Sequence, residues 1–285
     1  MTIDSHQHFW QVGRFSYPWM TDDVPALRRD FLPRDLMPEL AAAGVTQTIV
    51  VQASPTATET DFLLALAHEH DFIAGVVGWP DLEADFPAQL EKCAADPKLV
   101  GLRPAVEFES DDRWLLRPRV VEHLRLLAQH NLPLDLIVWP RHLRTVLELL
   151  DRVPTLRCVV DHLAKPDITH EVWQPSADEL AAIAEHPNVW CKLSGLLTPG
   201  GPPAGRRNLV RRYLQHAWRI FGPDRVMFGS DWPVSTLASS YVDTLSVLRE
   251  SLADELDATA TAKLFGGNCA AFYGLKGNVD AASQA

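Results

Sequence analysis

Two periods alternate along the chain. Short apolar or β-branched runs occupy residues 2–9, 47–53, 72–79, 99–106, 133–139, 156–162, 188–195 and 225–233. Between them lie stretches with apolar residues three and four apart, clearest over 35–43, 59–69, 117–130, 141–150 and 207–221. The first pattern predicts strands and the second amphipathic helices. Runs such as TIVVQA and RCVVDH are apolar on both faces, which suits strands of a parallel sheet covered on each side. Punctuation agrees with this division. Gly44 follows the first helical run, Pro133 stops another, and Ser176 with Glu179 has the spacing of a capping box.

Eight such βα units in 285 residues predict a closed (β/α)8 barrel, an α/β fold, over residues 1–275, with a polar tail at 276–285. No Gly-rich phosphate loop follows the first strand, which counts against an open dinucleotide-binding sheet. The stretch 198–205, TPGGPPAG, reads as a long loop after the seventh strand.

A barrel carries its chemistry at the carboxyl ends of its strands. Here those ends offer Asp4, His6 and His8; Gln52; Trp79; Arg103; Asp135 and Trp139; Asp161, His162 and Lys165; Lys192 and Ser194; and Ser230, Asp231 and Trp232. Residues two apart on a strand face the same side, so His6 and His8 both point to the barrel axis and could share a divalent ion. They could equally be a hydrogen-bonded pair in the core. Asp231 could ligate a cation, take a proton from an attacking water, or simply cap a turn before Pro233. His162 could bind a metal, polarise a carbonyl or protonate a leaving oxygen, or be a satisfied buried imidazole. Arg103 and Lys192 are costly near apolar strands unless paired. They are candidates for holding substrate oxygens, or for neutralising Asp135 and Asp161. Trp10, Trp79, Trp139 and Trp232 are candidate stacking faces for a ring substrate. The other eight histidines fall on helices or loops and are expected at the surface.

Composition narrows the partners. With 26 Lys+Arg against 37 Asp+Glu, the formal charge of −11 opposes a nucleic-acid or anionic-membrane partner. Apolar runs are too short to span a bilayer, and the first residues lack the pattern of a signal peptide. Four scattered cysteines without CxxC spacing are expected to be thiols, with Cys158 and Cys191 buried. These features predict a cytoplasmic protein, and a homo-oligomer is compatible with them.

The segments HQHFW, RDFLPRDL, GVTQTIVVQA, FIAGVVGWPDL, LVGLRP, VVDHLAKPDI, NVWCKLSGL, RVMFGSDWPV and FGGNCAAFYGL resemble, in order, the amidohydrolase superfamily. Within it they resemble the sugar-lactone hydrolases, the branch of L-fuconolactonase and L-rhamnonolactonase. The resemblance implies hydrolysis of a cyclic ester at His6, His8, His162 and Asp231. Members with a fuller metal centre carry a histidine on strand five and some a modified lysine on strand four. Trp139 and Arg103 stand there here, which leaves at most one ion, zinc by preference, on His6, His8 and Asp231, with His162 as a further candidate ligand. The implied reaction is direct attack of water with Asp231 as general base and Arg103 or His162 at the oxyanion. Lys192, Gln52, Trp10, Trp79, Trp139 and Trp232 would surround the substrate. A dicarboxylate or muconate-type lactone, a metal-dependent decarboxylation, and a non-catalytic sugar-acid-binding barrel are the alternatives.

Overall fold

Residues Gln47–Val51 are β-branched apart from Gln47 and almost wholly buried, so they have no face to offer water and must lie inside a covered sheet. The other seven strands are also almost wholly buried, whatever their side chains. In the computed structural model, which describes residues 1–197 and 207–275, these strands are β1 (Ile3–Gln7), β2 (Gln47–Val51), β3 (Ile73–Gly78), β4 (Leu99–Leu102), β5 (Leu134–Leu136), β6 (Cys158–Val160), β7 (Val189–Leu193) and β8 (Val226–Phe228). Each pairs in parallel with the next, in the order β1 to β8. The ring closes through His8 N–H to Trp232 O at 2.8 Å and Asp231 N–H to His6 O at 2.8 Å. The (β/α)8 expectation therefore holds. Several strands are shorter than their apolar runs; β5 ends at Leu136 and β8 at Phe228.

The five predicted helices form as α1 (Pro33–Ala43), α2 (Ala57–Glu69), α4 (Pro118–Gln129), α5 (Leu143–Arg152) and α7 (Arg207–Phe221). They are joined by α3 (Phe86–Ala94), α6 (Ser176–Ala184), α8 (Tyr241–Ser251), α9 (Ala258–Ala262) and α10 (Asn268–Tyr273). Gly44 ends α1 with φ +68°, as its position predicted. The expected capping box does not form. Ser176 is already helical and donates to Trp173 O at 3.1 Å, while Glu179 holds Arg144 at 2.7 Å. No described helix is long and apolar enough to cross a membrane. The 198–205 stretch and the 276–285 tail lie outside the described residues.

Most apolar side chains pack between barrel and helices; a second cluster fills the barrel interior. There Ile3, Ile49, Val77, Val159 and Met227 meet Phe272 and Tyr273 of α10, so the FGGNCAAFYGL segment plugs the barrel below the site. Asn268 pins that plug by donating to Val226 O at 2.6 Å. Across the closing seam, the buried Asp4 carboxylate accepts from Ser230 N–H at 2.9 Å and Tyr241 O–H at 2.8 Å, tying β1 to the end of β8. A Cβ on Gly229 would come within 2.8 Å of His6 Cβ, so only glycine lets β8 lie this close to β1.

Candidate active site

Strand parity brings His6 and His8 to the barrel axis together. Their Nε2 atoms lie 3.2 Å apart. His8 Nδ1 is 2.7 Å from Val51 O; since a carbonyl can only accept, Nδ1 carries a proton, and Nε2 is turned to the cavity. Asp231 enters from the opposite side of the seam with φ +58°. Its Oδ1 stands 3.5 Å from His8 Nε2, and 3.8 Å from both His6 Nε2 and His162 Nε2.

His162 arrives by an unusual backbone route. His162, Leu163, Ala164 and Lys165 have φ of 53°, 53°, 60° and 51°, a left-handed turn without a glycine. Such residues cost roughly 1–2 kcal/mol each, and they persist where the surroundings over-determine them. Here Lys165 N–H closes the turn on His162 O at 2.8 Å, and the imidazole Nδ1 sits 2.8 Å from Ser194 Oγ.

Beneath these groups runs a charged layer. Arg103 donates to Asp161 Oδ2 at 3.0 Å and to Gln52 O, while Gln52 Nε2 donates back to Arg103 O at 3.1 Å. Lys192, fully buried, bonds Asp135 and lies 3.1 Å from Asp161. Tyr273 donates to Asp135 from below. Burial alone would lower the Lys192 pKa, but Asp135 and Asp161 outweigh it and hold the ammonium charged. Burial pushes His6 well below the ordinary histidine value and lowers His162 as well, so both rings are neutral at pH 7. For Asp231, burial would raise the pKa; the imidazoles of His162, His8 and His6 outweigh it and hold the carboxyl below the usual range.

Above the floor opens a cavity of about 720 Å³. His8, Gln52, Arg103, His162 and Asp231 face it, as does Trp139. Four assignments are corrected. Lys192 does not face the cavity, because it is consumed by two carboxylates under His6. Trp10 is fully buried against Trp19 and Phe31, Trp232 packs on Phe9 and Phe31, and Trp79 lies outside the cavity wall. Trp19 takes the place expected of Trp10, with its Nε1–H on Ala53 O at 2.8 Å. Two supposed surface histidines are also buried: His123 beside Leu82 O at 3.0 Å, and His142 with Nδ1 accepting from Trp139 N–H. Cys158 and Cys191 are buried thiols, as expected. The sequence reading missed Glu107, Phe108 and Ile137 on the cavity wall. Ile137 lies one residue past the end of β5, where strand parity no longer says which way a side chain points.

The floor fits one small cation. Ligands about 2.0–2.1 Å from a tetrahedral zinc stand about 3.3 Å from one another. The His6, His8 and Asp231 ligand atoms form a triangle with sides of 3.2, 3.5 and 3.8 Å. A second triplet, His6, Asp161 and His162, shares one corner with it. Trp139 and Arg103 contribute no ligand from strands five and four.

A carboxylate among three imidazoles, at the carboxyl end of a (β/α)8 barrel and open to a cavity, defines a hydrolase-type site. The amidohydrolase family model matches residues 3–275, and the chain belongs to that family. It is 43% identical to an L-fucono-1,5-lactonase of Burkholderia ambifaria, with 95% of this chain and 94% of the relative covered. It is 36% identical to an L-fucono-1,5-lactonase of Burkholderia multivorans, covering 99% and 98%. Among solved structures, an amidohydrolase from Burkholderia multivorans with bound zinc superimposes with a TM-score of 0.92 at 34% identity, covering 97% of this chain and all of that one.

Proposed function

We propose that the protein opens a sugar lactone, an aldono-1,5-lactone of the L-fucono type, to its sugar acid. The observation that carries this reading is the placement of the Asp231 carboxylate within 3.8 Å of three imidazoles on the floor of an open cavity. The names of the two Burkholderia relatives supply the substrate class.

In the reaction, a water oxygen forms a bond to the lactone carbonyl carbon while Asp231 takes the water proton. Arg103 and His162 stabilise the oxyanion, a contribution that is usually the largest in acyl transfer. Collapse breaks the bond from the carbonyl carbon to the ring oxygen, which takes up the proton from Asp231. A carboxyl held below its usual range is a modest base but a strong acid, so this second transfer is fast. The product carboxylate then lies beside Arg103. A zinc ion bound at His6, His8 and Asp231 would polarise the carbonyl or acidify a water. His162 is placed as a further ligand to such an ion. A cytoplasmic location is the matching expectation.

The dicarboxylate-lactone alternative fits less well. It needs a net positive wall for two carboxylates, and the charges of Arg103 and Lys165 there are balanced by Asp161 and Glu107, which leaves N–H donors suited to a neutral ring. Hydrolysis releases one acid per turnover, so a lactone panel read with a pH indicator tests the proposal. Five- and six-membered sugar lactones should be hydrolysed faster than acyl-homoserine and long-chain lactones. Preference for the long-chain compounds would overturn the sugar assignment.

A further inference from the structure

A second polar station stands on the cavity wall, away from the reacting floor. Lys165 and Glu107 form an ion pair there, with side chains only 24% and 12% exposed, and both face the cavity. Lys165 is the last residue of the left-handed turn after β6; Glu107 lies on the short turn Val106–Phe108 after β4. The ammonium also lies 4.7 Å from the centre of the Trp139 ring, supplied by the strand between them. The nearby wall is apolar, through Phe108, Ile137 and Ile168.

An ion pair mostly withdrawn from water is often no more stabilising than an apolar pair of the same shape. This one is set into an apolar wall and joins two loops, so packing alone does not account for it. Nor is it solvated like the Asp167–His170 pair at the rim, whose side chains are 46% and 76% exposed. An ammonium has three donors, and Glu107 is the one acceptor for Lys165 among the described residues. A donor, an acceptor and an indole face side by side are the groups that recognise a hydroxylated ring. One takes a hydroxyl lone pair, one a hydroxyl proton, and one covers C–H surface.

We infer that Lys165, Glu107 and Trp139 form the specificity site for the ring hydroxyls farthest from the reacting carbonyl. The inference rests on the sugar-lactone reading. Lys165 and His162 stand at the two ends of one tight turn, closed by Lys165 N–H on His162 O at 2.8 Å, and both face the same cavity, so one substrate can touch floor and station together.

The test compares kcat/KM for a polyhydroxylated 1,5-lactone with kcat/KM for δ-valerolactone, which has no hydroxyls. In Glu107→Gln, which is isosteric, and in Lys165→Met, the ratio of the two should fall tenfold or more, mainly through KM. Lys165→Arg should restore part of it. Should Lys165→Met fail to fold, Glu107→Gln alone decides. A parent that prefers the sugar lactone, with variant ratios within twofold of it, overturns the station and spares the function. A parent that prefers unsubstituted or long-chain lactones overturns both.

Discussion

Lys192 Nζ lies 3.2 Å from His6 Nδ1, and Arg103 Nη1 lies 3.4 Å from His6 Nε2. Both cations can only donate, so they favour opposite tautomers of the ring. With Lys192 donating, Nδ1 accepts and the ring proton sits on Nε2, 3.2 Å from His8 Nε2. A metal at His6 Nε2 needs the other tautomer, with Nδ1–H turned to Asp161 Oδ1 at 3.4 Å. The buried lysine thus opposes ion binding at a triangle whose dimensions otherwise suit zinc.

Removing Lys192 alone strands two buried carboxylates, so Lys192→Met should destabilise the fold by about 3–5 kcal/mol. Adding Asp135→Asn keeps the local charge balanced and leaves Tyr273 an oxygen to donate to. The double variant should recover much of that loss and bind zinc at least tenfold more tightly than the parent in a chelator competition on metal-free protein. Equal zinc affinity in the two proteins would show that Lys192 does not set the His6 tautomer.

Asp231→Asn keeps the side chain's shape and the backbone bond to His6 O but removes the proton acceptor. Lactone turnover should drop by about 10²-fold or more, with kcat falling rather than KM rising. Thermal unfolding should still be cooperative. Turnover near the parent's would take Asp231 out of the reaction.

The periodic parts of this architecture were legible because barrel strands and covering helices must repeat their apolar positions. His6 was legible for the same reason, since strand parity says which side a residue faces; His8 and Asp231 lie past the ends of β1 and β8 and are held by their bonds across the seam. Parity says nothing of depth. Lys192 and Ser194 point inward alike, yet one lies beneath His6 and the other supports His162. Parity also fails past the strand end, so Trp10 and Trp232, beyond Gln7 and Phe228, turn into packing instead of the cavity. The left-handed turn at His162–Lys165 left no trace in DHLAK, which contains neither glycine nor asparagine. Its strain is imposed by tertiary contacts, and with it went the pairing of Lys165 with Glu107.

Glu59 shows how a residue buried behind the cavity wall can reveal itself through pH. Its buried carboxylate accepts from Ala53 N–H at 2.8 Å and Ser54 N–H at 2.7 Å, holding the loop after β2 against the cavity, with Tyr17 and Arg103 as its ionisable neighbours. Burial pushes its pKa up to about 7 from an unfolded value near 4.5. A raised carboxyl contributes its full stability below the unfolded pKa and loses it as pH rises through the folded one, here about 3 kcal/mol between pH 4.5 and 7. Glu59→Gln has no such proton to lose. Its melting temperature should therefore rise relative to the parent's across that interval and hold a constant offset above it. A flat difference from pH 4.5 to 8 would refute the shift.

Gly195 offers the sharpest separation of backbone strain from catalysis. Its φ is +66°, and a Cβ added there would stand 2.5 Å from His162 Nδ1 and 2.7 Å from Cγ, inside any tolerable contact. Gly195→Ala must therefore push the imidazole off Ser194 and away from Asp231, besides straining the backbone. Gly222 has nearly the same conformation, φ +72°, but a Cβ added there would meet no heavy atom within 4 Å, so Gly222→Ala carries the backbone cost alone. Gly222→Ala should lose about 1–2 kcal/mol of stability, and Gly195→Ala at least as much. Only Gly195→Ala should also lose activity, by tenfold or more in kcat/KM, measured well below either melting temperature. If the two variants kept equal activity, His162 would not need its position against Ser194, and its place in the reaction would have to be given up.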